Sequence, residues 1–134
     1  MATKPFDWSR YFSLAEELAK RPDESALRSA LSRAYYYVYH LAFTRAQING
    51  FKVLAGEGTH QQLWRFFGAS PEPDCQKLAQ IAARLKEKRE RADYEDCYSR
   101  LAEEVPVILA NARDFEIRLQ RLNSRHPNSA SVRQ

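Results

Sequence analysis

The sequence predicts an all-α protein, an antiparallel four-helix up-down bundle with one additional short helix. Three observations carry this expectation. The stretch from Asp23 to Asn49 holds neither glycine nor proline, and Leu27, Leu31, Ala34, Val38 and Leu41 return at helical spacing to lay one stripe along it. A second seam, Tyr98, Leu101, Val105, Ile108, Ala112, Phe115, Leu119 and Leu122, alternates spacings of three and four. All four glycines (Gly50, Gly56, Gly58 and Gly68) fall in one window between these stretches, and no apolar run is long enough to make a strand.

In chain order, Asp7 is expected to cap a first helix whose face is Trp8, Tyr11, Phe12, Ala15, Leu18 and Ala19, and the Arg21–Pro22 step ends it. Asp23 or Ser25 caps the central helix. At about 1.5 Å per residue that helix is about 40 Å long, which leaves surface to bury against a second copy. The glycine-rich window is irregular until Thr59, the expected cap of a short helix in which Leu63, Phe66 and Phe67 face the core and Trp64 lies over it. Asp74 is the expected cap of a third main helix, with the stripe Leu78, Ile81/Ala82, Leu85 and Ala92. Pro106 should kink the last helix, because it lacks an N–H and crowds the preceding turn.

The 134 residues suggest one domain over 1–122, followed by a polar tail over 123–134 that is expected to be disordered. A hydrophobic content of 44% with 12% aromatic residues excludes a wholly disordered chain. No apolar run approaches the roughly 20 residues of a membrane span and no leader precedes the first helix, so a cytoplasmic location away from membranes is expected. Cys75 and Cys97 imply neither a disulfide framework nor a zinc site. A net charge of +4 permits an anionic partner such as RNA without demanding one. No cofactor or metal is expected. Phosphate-loop and dinucleotide motifs are absent, and the Glu57-x-x-His60 spacing lies in the glycine-rich connector rather than on a core helix.

Two groups of polar residues stand out. Arg33 and His40 lie two turns apart on one face of the central helix, with Tyr36 and Tyr37 between them. They form either a hydrogen-bonded seam that fixes helix register or one wall of a polar site. In RLKEKRERADY (84–94) most charges fall on the solvent side, but Arg89 shares the inward stripe of Leu85 and Ala92. A buried guanidinium needs a partner. That partner is either Asp93, one turn later, or a phosphate, which the planar guanidinium fork matches well. His126, in the polar tail, is set aside as a catalyst.

SRAYYYVYHLAF on the central helix, Thr59-His60 before the short helix, RERADY, and Ala112-x-x-Phe115 together resemble the HEPN superfamily. More narrowly, they resemble the small stand-alone HEPN proteins of bacteria and archaea, some of which are encoded beside a minimal nucleotidyltransferase. The likeness covers roughly residues 8 to 122. It implies a dimerising up-down helical bundle. In catalytic members an arginine, followed four to six residues later by a histidine, forms a metal-independent ribonuclease site in toxin–antitoxin or defence systems. Arg89 takes the arginine's place, but Tyr94 stands where the nearest histidine should be, so the pair is incomplete. A phenol titrating near about 10 is a poor base at neutral pH. His40 or His60, from either subunit, would have to replace the missing imidazole. The resemblance thus implies a polar cleft with Arg89, Tyr94 and His40 as catalytic candidates, and Arg33, Arg89, Asp93 and His60 as candidates for binding an RNA or nucleotide phosphate. It leaves open a non-catalytic module that partners a nucleotidyltransferase, for which Tyr94 or Tyr98 would be the residue modified. A purely structural dimer fits the missing histidine equally well.

Overall fold

The computed structural model describes residues 3–128. Among them are five helices and no strand: α1 (Ser9–Ala19), α2 (Glu24–Ile48), α3 (Thr59–Gly68), α4 (Pro73–Tyr94) and α5 (Leu101–Arg121). The protein is all-helical. No helix among the described residues is long and apolar enough to cross a membrane.

The helix starts follow local chemistry, with small shifts from expectation. Asp23 caps α2 by accepting from the Ala26 backbone N–H at 3.3 Å. Asp7 lies one residue before the cap position of α1, which Trp8 occupies, yet it still accepts from the Ser9 N–H at 3.0 Å. Gly58, rather than Thr59, stands at the α3 cap. Glu72 replaces Asp74 as the cap of α4 because Pro73, which has no N–H to lose, takes the first helical position. α5 continues through Pro106. The missing N–H there leaves the carbonyl of solvent-exposed Ala102 for water.

α2 packs against every other helix, whereas α1 and α4 do not touch. Trp8 meets His40 and Phe12 meets Tyr37, so α1 runs antiparallel to α2. Near its N-terminal end, α2 sends Arg28 to carbonyls at the end of α4 and just beyond it: Ala92 at 3.0 Å, Glu95 at 2.6 Å and Asp96 at 3.1 Å. Near its other end, Arg45 donates to Leu119 O at 2.9 Å and His126 O at 3.0 Å, beyond the last turn of α5. Carbonyls at and just beyond the C-terminal ends of α4 and α5 thus accept from arginines of α2. α4 is therefore antiparallel to α2, and α5 is parallel to it.

Most positions of the predicted stripes are the core, whereas Leu41, Ile81 and Phe66 are only partly buried. Leu31, Ala34, Val38, Leu78, Ala82, Leu85 and the α5 seam from Leu101 to Leu119 are all buried, together with Leu63 and Phe67 from α3. The tail departs from expectation. Residues 123–128 are packed against the end of α2: Pro127 is fully buried and Asn49 donates to Ser124 O at 3.1 Å. Backbone carbonyls that face α2 donors anchor the segment despite its polar composition. Residues 129–134 lie outside the described residues.

Candidate functional site

The polar site is built where α2, α3 and α4 meet. Three side chains of α2 within little more than one turn, Tyr35, Tyr36 and Tyr39, present their rings to α3 and α4. Gln62, itself buried, fixes the entry of α3. Its amide accepts from Leu54 N–H at 2.7 Å and donates to the carbonyls of Leu54 at 2.8 Å and Glu57 at 3.0 Å. Glu57 holds Arg65 through two oxygens, each at 2.9 Å. With the loop so pinned, His60 in the first turn of α3 lies against Tyr39, ring centroids 4.1 Å apart and nearly parallel, and edge-on to Tyr36 at 5.8 Å.

His60 Nδ1 lies 2.6 Å from the Tyr35 hydroxyl, and Trp64 Nε1 donates to the same oxygen at 3.1 Å. An indole N–H is only a donor, so the Tyr35 oxygen accepts from it and the phenolic proton is left for His60 Nδ1. This assignment puts the imidazole proton on Nε2. Burial, followed by the charges of Arg89 and Lys86, holds His60 down to about 4, so the ring is neutral at pH 7. Burial raises Tyr35 well above an ordinary phenol, which keeps its proton in place.

Arg89 is 7% exposed, as its place on the inward stripe required. Its guanidinium carbon lies 5.1 Å from the centroid of Tyr35 and 5.3 Å from that of Tyr36, within cation–π range of both. The expected carboxylate partner is weak: Asp93 Oδ2 stands 3.5 Å from an Arg89 terminal nitrogen, at the outer limit of a hydrogen bond. Nε is buried with no partner at all. Five donors in a fixed fork are thus served by one long contact and two π faces. Arg33 lies 4.6 Å from the Tyr11 ring and 5.8 Å from the Tyr36 ring, so Tyr36 is shared by two guanidiniums.

The other expected members lie elsewhere. His40 stacks flat on Trp8, with centroids 3.4 Å apart, and burial lowers its pKa. It lines a separate groove of about 410 Å³ beside Phe6, Tyr37, Thr44 and Ile48. Tyr94 is 77% exposed among Glu87, Glu90 and Glu95. Five residues beyond Arg89 on a helix, it points well away from the inward stripe. Tyr98 is buried, bonded to Glu104 at 2.6 Å beneath the Arg91 guanidinium.

Of the expected site residues, Arg89 meets Asp93 and shares the Tyr35 and Tyr36 rings with His60, Arg33 borders them across Tyr36, and His40 and Tyr94 do not join. Tyr35 and Trp64 were missed as site residues. The only sequence signal for them is their aromatic, hydrogen-bonding character. Among the described residues no cluster of carboxylates, histidines and cysteines has the makings of a metal site. Comparison of the chain with protein-family models, with curated proteins and with solved structures gave no match in any of the three.

Proposed function

We propose that this is a HEPN-like helical protein, an up-down four-helix bundle with one inserted short helix. In this reading it acts as a dimeric binding module that holds a phosphate of RNA or of a nucleotide between Arg89 and His60. The observation that carries the proposal is the buried Arg89 fork, with Nε unpartnered and Asp93 only at 3.5 Å. Such a group is costly in a core and is relieved by an anion that accepts two of its N–H groups. His60 would add a neutral N–H donor from Nε2. A partner such as a minimal nucleotidyltransferase fits the resemblance and the exposed Tyr94.

The second reading is a metal-independent ribonuclease of a toxin–antitoxin or defence system. It requires an imidazole that accepts a proton from the ribose 2′-OH. The Tyr35 hydrogen bond to Nδ1 favours the binding reading, because it leaves Nε2 as a donor rather than a base. The test is an anisotropy and cleavage assay with a labelled oligoribonucleotide in EDTA at low salt, using wild type, Arg89→Met and His60→Asn. Binding that weakens in Arg89→Met, with the RNA intact, supports the module. Cyclic-phosphate ends from wild type but not from Arg89→Met would establish the nuclease. Equal binding by wild type and Arg89→Met would remove the phosphate site.

A further inference from the structure

A second charged feature lies on the outer side of α4, away from the inward stripe that carries Arg89. Lys77, Ile81 and Arg84 form one wall of a groove of about 390 Å³ between α4 and α5, and Val107, Asn111, Asp114 and Arg118 form the other. The groove continues into a cavity of about 240 Å³ beside Arg121 and Asp74. Both walls repeat at spacings of three and four, the pattern of a seam on which a further helix packs. Val107 is 49% exposed there and Ile81 is only partly covered, so two apolar side chains stand open between otherwise polar and charged walls.

Among the described residues, the unpaired charges within the groove between Lys77 and Arg118 are cationic, the unpaired Asp74 lying in the adjoining cavity. Arg118 is held by Asp114 at 3.0 Å, which neutralises that acid. Lys77, Arg84 and Arg121 make no ion pair among the described residues, although most cations further along α4 do. Lys77 and Arg84 are two turns apart, about 10 Å along the axis. Carboxylates at positions i and i+7 of a partner helix have the same separation.

We infer that the α4–α5 groove docks an acidic amphipathic helix of a partner protein, with an apolar side chain on Ile81 and Val107 and carboxylates reaching Lys77 and Arg84. The exposed Ile81–Val107 pair between the two cations favours a peptide helix with an apolar side chain over a nucleic-acid backbone. This surface is separate from the Arg89 site and does not depend on the phosphate reading.

The probe is a synthetic helical peptide of roughly 15 residues with Glu at i and i+7 and Leu at i+3 and i+4, fluorescently labelled. Its controls are the same peptide with Lys in place of Glu and a labelled oligouridylate. The full chain is compared as wild type, Lys77→Glu/Arg84→Glu and Arg89→Met, with circular dichroism to confirm that the variants are folded. The acidic peptide is expected to bind wild type and Arg89→Met alike, and to weaken at least about tenfold in the charge-reversed variant. The basic peptide is expected not to bind. Failure of the acidic peptide to bind would overturn the proposal, as would equal binding by the charge-reversed variant. So would charge reversal that abolishes oligouridylate binding while sparing the peptide, or self-association of wild type that Lys77→Glu/Arg84→Glu abolishes.

Discussion

The Tyr35 hydroxyl is the hinge of the polar site: it takes the Trp64 N–H at 3.1 Å and stands 2.6 Å from His60 Nδ1. One oxygen from the central helix therefore fixes two side chains of α3. It also sets the imidazole tautomer, and with it the group that a ligand would meet.

Tyr35→Phe should destabilise the fold while leaving the ring packing intact. It strips partners from Trp64 Nε1 and His60 Nδ1, both partly buried. The cost expected for unsatisfied groups of this kind is about 1–3 kcal/mol. Urea denaturation of the variant should show a lower midpoint with an unchanged slope.

Acidification should weaken the fold through His60. Its folded value of about 4 lies below the ordinary 6.5, so the neutral ring contributes stability that is fully present above 6.5. That contribution is lost as pH falls from 6.5 toward 4. His60→Asn keeps an acceptor near Tyr35 but does not titrate, so its stability should fall less than wild type's between those values. Proton NMR should show His60 titrating well below His40.

Arg89→Met should separate function from folding. Replacing a poorly paired buried cation with an apolar side chain of similar length is often neutral or stabilising. The melting temperature should hold or rise, while RNA binding falls. The slope of log affinity against log salt should shrink by about 0.7 for the lost phosphate contact. A large fall in melting temperature would mean that the guanidinium is structural.

Arg45→Met should release the segment after α5. It removes the donor to Leu119 O and His126 O, at an expected cost of about 1–3 kcal/mol. Limited trypsin digestion should then cut after Arg125 sooner than in wild type, while Arg28→Met should not accelerate that cut.

The helices were legible because burial imposes periodicity: the α5 seam from Tyr98 to Leu122 is buried at every position the spacing named. Arg89 was legible for the same reason, as a cation on an apolar stripe. The composition of the site was not. His60 reaches Tyr35 from a loop that Gln62 and the Glu57–Arg65 pair pin, and that geometry lies in a window whose sequence shows only irregularity. His40 and Tyr94 were nominated by identity and by resemblance, but helical phase put one against Trp8 and the other in solvent. The packing of residues 123–128 is not legible in the sequence because its anchors are backbone carbonyls, which every residue has.

Arg28 and Arg45 also limit how the molecule can move. They grip the ends of two helices that run in opposite senses, from points about 25 Å apart on α2. Sliding α2 by one turn, about 5.4 Å, would tear out both grips at once, so the helix behaves as a bolt shot through two keepers. Piston-like motion is closed to it. The freer element is α3 with the loop before it, which Gln62 and the Glu57–Arg65 pair hold by side-chain contacts within that segment.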